Sequence, residues 1–308
     1  MPELPDLTIY VESLRPRTVG QPITNIRFGN PFILRTVDPP LSALVGHNVL
    51  AVSRLGKRIL LEVEGDMFVV VHLMIAGRFH WKTRGIKLSG KTAHAAFDFP
   101  TGTLLLTEAS TKKRASIHFV SGRTSLAQFD RGGLEILGST FKQFHAALMR
   151  ENRTLKRALT DPRLFSGIGN AYSDEVFHRA HLSPLALTQR LLGAEVQRLH
   201  AATLQVMQEW IERLRAEAGN GFPEKVTAFR REMAVHGKFG EPCPVCGTLV
   251  QRIVYAENEC NYCPRCQTGG KLLSDRSLAR LLRDDWPTTI DELEAGGLGT
   301  SGQSRSEP

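Results

Sequence analysis

The spacing of apolar residues near the N-terminus predicts one short amphipathic helix. It spans residues 6–14, where apolar side chains recur at helical intervals: Leu7, Tyr10, Val11 and Leu14. Asp6 is suited to cap this helix, and Pro16 is suited to end it.

Residues 22–130 have a different pattern, made of short apolar runs that are bounded by turn sequences. Examples are RILLEVEGDMFVVVHLMIAGRF and AAFDFPTGTLLLTEAS. The letters GD and PTG fall where hairpin turns are expected. This pattern predicts a β-sandwich, or two packed sheets, behind one leading helix.

From residue 137 to residue 216 the apolar spacing is helical again. One face predicts a long amphipathic helix, and its members are Val196, Leu199, Thr203, Met207, Trp210 and Leu214. Gly219, Gly221 and Pro223 suggest a hinge within residues 217–226. Residues 275–286 predict one further helix, and residues 296–308 have the composition of a disordered tail.

Composition narrows the class of protein. The chain has 308 residues, with 39 Lys and Arg against 31 Asp and Glu, so its net charge is +8. A basic surface favours polyanions such as nucleic acid, although many basic proteins bind none. The sequence has no apolar run of about 20 residues and opens with MPELPDL rather than a secretory signal. We therefore expect a cytoplasmic protein that does not enter the membrane.

The five cysteines are concentrated between residues 243 and 266 and predict a metal site. Cys243 and Cys246 form one CxxC pair, and Cys263 and Cys266 form a second. Two such pairs place four thiolates around one structural Zn²⁺ with no position open for water. A pair of redox dithiols is the alternative, but no βαβ pattern surrounds them. Cys260 lies outside the pattern and is expected to be a free thiol.

The sequence Ser166-Gly167-Ile168-Gly169-Asn170 predicts a turn before a helix that starts near Tyr172. Glycines bring backbone N–H groups close to a ligand, and a helix N-terminus favours an anion. The Asn170 amide is suited to a phosphate oxygen, and three basic residues lie nearby: Lys156, Arg157 and Arg163. A simple connection between two helices is the alternative.

Pro2 is a candidate nucleophile. Methionine before proline is normally removed, which leaves Pro2 with a secondary amine whose pKa is roughly 8. Such an amine can attack C1′ of a deoxyribose and form an iminium. Glu3 is placed to carry protons during that reaction. Most N-terminal prolines have no such role.

Taken in order, these segments resemble the formamidopyrimidine-DNA glycosylase and endonuclease VIII family. The matching sequences are PELPD, Gly56-Lys57, HLMIAGR, SGIGNAYSDEVFHRAHLSP and the two CxxC segments, within residues 2–267. The resemblance implies an α+β multidomain fold. Its parts are an N-terminal β-sandwich with a leading helix (1–130), a helical helix–two-turn–helix domain (131–226) and a C-terminal zinc-finger hairpin (227–270). Residues 271–308 form an extension.

The resemblance also implies roles for individual residues. Pro2 is expected to be the nucleophile, Glu3 the proton carrier and Lys57 a further catalytic residue at the lesion. The remaining expected contacts are with damaged DNA, and they are made by His72, Ile75, Lys113, Arg114, Lys156, Gly169, Asn170 and Asn258.

Four positions depart from the family pattern. Asp6 replaces a glutamate, and Ile75, next to Met74, stands where a methionine wedge is frequent. The loop DPRRFG is replaced by residues 110–115, STKKRA, which lack its stacking phenylalanine. Asn258 replaces an arginine whose forked guanidinium grips phosphate. The segment 217–235 also looks shorter than the family's lesion-covering loop.

Three functions are therefore considered. The favoured one is a monomeric DNA glycosylase with AP lyase activity. The second is a protein on the same fold that binds lesions or abasic sites with weak or no catalysis. The third is a nucleic-acid module with a structural zinc and no lesion specificity, which has no need of Pro2 or Glu3. Because the residues that fill an emptied base stack differ, we expect a preference for loosely stacked lesions.

Overall fold

The computed structural model describes residues 1–255, 258–274 and 287–295, without the side chains of Tyr255 and Asn258. The helix predicted at 275–286 and the tail predicted at 296–308 lie outside the described residues. The helices are α1 (Leu4–Thr18), α2 (Phe141–Met149), α3 (Leu155–Leu159), α4 (Asn170–Ala180), α5 (Gly193–Ala218), α6 (Pro264–Thr268) and α7 (Ile290–Ala295). The strands are β1 (Asn25–Phe28), β2 (Val49–Leu55), β3 (Arg58–Val63), β4 (Met67–His72), β5 (Gly77–Lys82), β6 (Ala93–Phe99), β7 (Gly102–Glu108), β8 (Ser116–Ser121), β9 (Gln251–Tyr255) and β10 (Asn258–Tyr262).

The chain divides into two compact units. The first contains Met1–Gly133 and Met207–Ala228, and the second contains Leu134–Val206 and Phe229–Pro308. Helix α5 contributes to both. The division into four segments expected from the sequence remains a prediction. None of the helices within the described ranges combines the length and the apolar character that crossing a bilayer requires.

The first unit is built on two antiparallel sheets of four strands each. Their strand orders are β1-β6-β7-β5 and β2-β3-β4-β8. Alternate residues of both sheets form one apolar core, to which Tyr10 and Leu14 of α1 contribute. The predicted hairpin turns are present. Val63 pairs with Met67, and in the three-residue turn between them Gly65 and Asp66 both have positive φ. The predicted sandwich with a leading helix is confirmed.

Helix α1 is longer than the predicted 6–14 at both ends. It starts at Leu4 because Pro5 occupies the first turn, where no intrahelical N–H is needed. The Asp6 carboxylate accepts the backbone N–H of Glu3 at 3.0 Å, so Asp6 secures the cap from inside the helix. Pro16 does not end the helix. It lies in the last turn, and the backbone N–H of Val19 still reaches the Arg15 carbonyl at 3.0 Å.

In the second unit the turn before α4 is shorter than predicted. The helix begins at Asn170, with Gly169 as its N-cap, rather than near Tyr172. The Gly169 carbonyl accepts the backbone N–H of Ser173 at 3.2 Å and the Ser173 hydroxyl at 2.6 Å, which starts the helix two residues earlier. All six residues of the predicted amphipathic face of α5 are buried.

The cysteine-bearing segment is a two-stranded hairpin of β9 and β10, followed by the short helix α6. A small cluster packs under it, made of Val235, Val250, Cys243 and Cys263. The predicted zinc-finger hairpin is confirmed. A cluster this small has little apolar area to hold it folded, so a metal is expected to supply the remaining stability.

Candidate active site and nucleic-acid contacts

Two of the predicted catalytic residues, Pro2 and Glu3, lie directly before α1, and Glu3 is its N-cap. Pro2 is buried, and Glu3 is 3% exposed. In the unprocessed chain the terminal amine belongs to Met1, one residue before the predicted nucleophile. Burial lowers the pKa of this amine; Glu3 opposes the shift and Arg78 adds to it, with smaller effects from Asp6 and Lys57. The amine therefore lies among charged groups that influence its protonation, and Glu3 and Lys57 are two of them.

A tight loop between β4 and β5 presents Ile75. Its backbone turns at Met74, which has a φ of 53°, and the Gly77 N–H reaches the Leu73 carbonyl at 2.9 Å. A Cβ at Gly77 would lie 2.2 Å from that carbonyl oxygen, so only glycine fits there. Ile75 is 57% exposed at the tip, as an apolar wedge needs to be.

Arg78 holds this loop in place through hydrogen bonds to its backbone. The sequence did not identify Arg78 as a site residue. Its guanidinium donates to the carbonyls of Ile75 at 3.0 Å and Gly77 at 2.6 Å, and also to that of Val226. Arg78 also acts on the pKa of the terminal amine. The sequence Ala76-Gly77-Arg78 contains the signal for it, because a charged residue there is the second residue of a partly buried strand.

The charged loop at residues 110–115 is fixed by a buried acid, Glu108, which is 2% exposed. Its carboxylate accepts the backbone N–H groups of Arg114 at 2.9 Å and Ala115 at 3.2 Å. The Lys113 ammonium donates to the Glu108 carbonyl at 2.6 Å. Lys112, Lys113 and Arg114 are all exposed. The loop is therefore held at its base, and Lys113 folds back along it.

His72 ends β4, opposite Arg58 of β3. Burial lowers the pKa of His72 to about 4, and the charges of Arg58 and Lys57 add to the shift. The imidazole is therefore neutral at pH 7 and donates a single N–H.

The second unit contains the glycine turn and Lys156. The Lys156 ammonium donates to the Asn170 carbonyl at 2.8 Å, the Ser173 hydroxyl at 2.9 Å and the Asp174 carboxylate at 2.6 Å. The Asn170 amide donates to the Glu259 carbonyl of β10 at 2.7 Å. Both side chains therefore already make protein contacts, and their contacts with DNA remain predictions.

Asp174 is the centre of this arrangement and is fully buried. One carboxylate oxygen accepts from Lys156 and from the Cys260 thiol at 3.1 Å. The other accepts from His236 at 2.8 Å and from the Asn261 backbone at 3.2 Å. Burial disfavours its charge, but Lys156 and His236 outweigh burial and hold the pKa of Asp174 below its ordinary value.

Glu175, the next residue, is also buried and accepts three backbone N–H groups, those of Ala234, Val235 and His236, at 2.7–3.0 Å. Sequence reasoning missed both acids. Their signal was a pair of carboxylates inside a helix whose neighbouring positions are mainly apolar.

The four predicted metal ligands are brought together. The sulfurs of Cys243, Cys246, Cys263 and Cys266 lie within 4.8 Å of one another. Four thiolates at these separations suit tetrahedral Zn²⁺. His178 of α4 places its Nε2 3.2 Å from the Cys243 sulfur, and a contact of this kind orients a metal ligand.

Asn258 is the first residue of β10, and its backbone pairs with Tyr255. The sequence predicts that Asn258 contacts DNA. Its side chain lies outside the described residues. On the same hairpin Arg252 pairs with Glu259 at 3.3 Å.

Comparisons with known proteins match this architecture along most of the chain. Family models match at residues 1–124 (formamidopyrimidine-DNA glycosylase N-terminal domain), 133–218 (its H2TH domain) and 240–269 (zinc finger found in FPG and IleRS). The formamidopyrimidine-DNA glycosylase of Solibacter usitatus is 32% identical over 277 residues, which cover 87% of this chain and 99% of the relative. The chain belongs to the formamidopyrimidine-DNA glycosylase family.

Solved structures of family members agree. The complex of wild-type Lactococcus lactis Fpg with DNA that contains an oxidized pyrimidine has a TM-score of 0.76 and 27% identity. The match covers 87% of this chain and all of that one. The complex of Lactococcus lactis Fpg with abasic-site DNA has a TM-score of 0.76 and 27% identity, and covers 86% and 99% of the two chains. The expected family and its structural zinc are confirmed, whereas the roles of individual site residues remain predictions.

One Zn²⁺ per chain is expected to depend on the four clustered thiolates and not on Cys260. Elemental analysis should give about one zinc for the wild type and for Cys260→Ser, and none for Cys263→Ser, because structural zinc needs all four ligands. Cys260→Ser is the matched control, since Cys260 is equally buried but contacts Asp174 instead. A full zinc content in Cys263→Ser would contradict the assignment.

Asp174→Asn should lower the free energy of unfolding by about 3–5 kcal/mol, because it leaves the buried Lys156 ammonium without its charged partner. Urea denaturation measures this. Glu12→Gln, which breaks the exposed ion pair with Arg215, is the control and should cost about 0–1 kcal/mol.

The pH dependence provides a second readout. Because the folded-state pKa of Asp174 is depressed, its stabilisation is fully present above the unfolded pKa of about 3.9 and is lost as the pH falls through the lower folded value. Asp174→Asn should remove that part of the acid sensitivity. Equal losses for Asp174→Asn and Glu12→Gln would contradict the central role of Asp174.

Proposed function

We propose that this protein excises damaged bases from DNA through the amine of Pro2. By family it is a DNA repair glycosylase with AP lyase activity. The observation that carries the residue assignment is the segment directly before α1. Pro2 and Glu3 are both buried there, and the amine of Met1, one residue earlier, lies among the charges of Glu3, Asp6, Arg78 and Lys57. We also propose a monomer that acts in the bacterial cytoplasm or nucleoid.

The proposed reaction starts with the neutral amine of Pro2. Its lone pair attacks C1′ of the damaged nucleotide, the bond from C1′ to the base breaks, and the base leaves with a proton from water. Glu3 takes the proton from the Pro2 nitrogen and passes it to the ring oxygen as the sugar opens, which leaves an iminium between Pro2 and C1′. Glu3 then takes a proton from C2′, the bond from C3′ to its oxygen breaks, and the downstream strand leaves with its 5′ phosphate. Pro2 is buried, which supports this chemistry because burial favours the neutral form of an amine.

Binding is assigned to two groups of residues, one in each unit. In the first unit the proposed contacts are His72, Ile75, Lys113 and Arg114, together with Lys57 at the lesion. In the second unit they are Lys156, Gly169, Asn170 and Asn258. We propose that Lys156 acts mainly by ordering the start of α4, since its ammonium already donates to Asn170, Ser173 and Asp174.

Borohydride trapping on an abasic duplex tests the chemistry, because borohydride reduces an iminium to a stable amine. Wild type should form a covalent adduct, and Pro2→Gly should lose it. Glu3→Gln should slow it by about 10²–10⁴-fold, the usual contribution of a general acid or base. DNA affinity should stay close to wild type for both variants, since neither change removes a positive charge.

Lys57→Met is the comparison variant for trapping. If Pro2→Gly forms the adduct at the normal rate and Lys57→Met does not, Lys57 is the nucleophile. If wild type binds the abasic duplex but forms no adduct, the protein is a lesion binder without this chemistry.

Lesion preference should follow how firmly a base is stacked. Extruding a base costs a few kcal/mol and least for a loose one, and Ile75 is the proposed apolar filler. Wild type should therefore act faster on a mispaired or single-stranded lesion than on the same lesion firmly paired. Asn258→Arg should raise the rate on the paired lesion most, because it restores a forked phosphate contact.

The loop 110–115 is tested in the same assay. A variant with alanine at Lys112, Lys113 and Arg114 should excise the firmly paired lesion more slowly than wild type does, and the loosely stacked lesion should be affected less. Glu108 and the backbone N–H groups that it accepts are unchanged in this variant, so the base of the loop stays in place. Equal wild-type rates on both substrates, unaltered by either change, would rule out this account of selectivity.

A further inference from the structure

A group of basic side chains lies on the face of the second sheet that is turned away from the sandwich core. Arg58 of β3 is directly opposite His72 of β4, and one row further along, Leu60 and Val70 align with His118 of β8. Because side chains alternate along a strand, Arg58, His72 and His118 share one face. We call these three residues the Arg58 cluster.

The charges that act on the Arg58 cluster have one sign. Besides its own members, the side chains that shift the pKa values of the cluster are all basic: Arg35, Lys57 and Arg131. Within the described part of the chain, no carboxylate forms an ion pair with a member of the cluster. The charge of Arg58 therefore has basic neighbours, and such a surrounding favours an anion.

The cluster is held in place by a buried ring. The Arg58 guanidinium donates to the Phe129 carbonyl at 3.1 Å and lies 5.7 Å from the centroid of the Phe129 ring. His118 packs edge-on against the same ring, with 4.9 Å between ring centroids. Arg58, His72 and His118 are all half-buried. The positive charge is therefore positioned rather than carried on a mobile surface chain.

We propose that the Arg58 cluster binds a phosphodiester of the DNA backbone, with Arg58 as its charged ligand. This inference rests on the proposed function, since Lys57 and His72 are assigned to DNA there. A neutral His72 contributes one N–H and no charge, whereas a guanidinium presents a fork of donors that matches phosphate. The sequence resemblance covers Lys57 and His72 but gives Arg58 no role.

The salt dependence of DNA affinity tests the assignment. Each phosphate that a cation neutralises adds about 0.9 to the slope of log affinity against log salt on duplex DNA. Arg58→Met should lower the slope for an abasic duplex by about 0.9 and weaken binding about tenfold, as expected for one charge-assisted contact. Arg58→Lys, which keeps the charge, should keep the wild-type slope.

Arg123→Met is the matched control. Arg123 lies just after the same sheet, with its guanidinium 5.4 Å from the Phe68 ring centroid, but it is paired with Glu62. Its slope should equal that of wild type. Arg58→Gln keeps a donor for the Phe129 carbonyl and replaces Arg58→Met if that variant folds poorly, with the same expected slope.

An unchanged slope in a folded Arg58→Met or Arg58→Gln protein would overturn the proposal. A second arm uses inorganic phosphate alone. If phosphate raises the melting temperature of wild type but not of Arg58→Met, while the DNA slope is unchanged, the cluster is a site for free anions and its assignment to DNA is wrong. If wild type forms no borohydride adduct but Arg58→Met still lowers the salt slope, the phosphate site is supported and the Pro2 chemistry is contradicted.

Discussion

The second unit depends on one buried carboxylate, that of Asp174. A carboxylate without solvent is costly unless its oxygens are paired, and Asp174 receives four donors from separate parts of the chain. They come from α3, from β10 and from the segment before the zinc hairpin. Because every donor must be in place for the charge to be tolerated, the helix start, the hairpin and the intervening segment are fixed together. The Lys156 ammonium extends the same network to the Asn170 carbonyl.

The same physical solution recurs in irregular segments of both units. Asp6 accepts the N–H of Glu3, Glu108 accepts those of Arg114 and Ala115, and Glu175 accepts three from the segment 234–236. Each acid is buried, and each fixes backbone that has no strand or helix partner. Short irregular segments thereby become as well positioned as regular elements, which a site for base extrusion needs.

Charge in the first unit is distributed differently. Around the terminal amine of Met1, burial lowers the pKa, Glu3 and Asp6 oppose that shift, and Arg78 and Lys57 add to it, so both signs of charge are present. Around Arg58 the basic side chains have no such balance. A balanced group suits proton transfer, and an unbalanced group suits an anion that arrives with the ligand.

Features that depend on local order could be predicted from the amino-acid sequence. Hydrophobic periodicity is set by neighbouring residues, so the sandwich strands and the amphipathic face of α5 were predictable, and the CxxC spacing identified the zinc ligands. Which side chains meet across long stretches of chain was established by folding. Asp174 contacts Cys260 from 86 residues away, and Arg58 contacts Phe129 from 71. Even the start of α4 depended on a hydroxyl–carbonyl contact between Ser173 and Gly169, which spacing alone does not specify. Contacts of this kind depend on burial, because only away from water do unpaired charges and N–H groups become costly enough to select their partners.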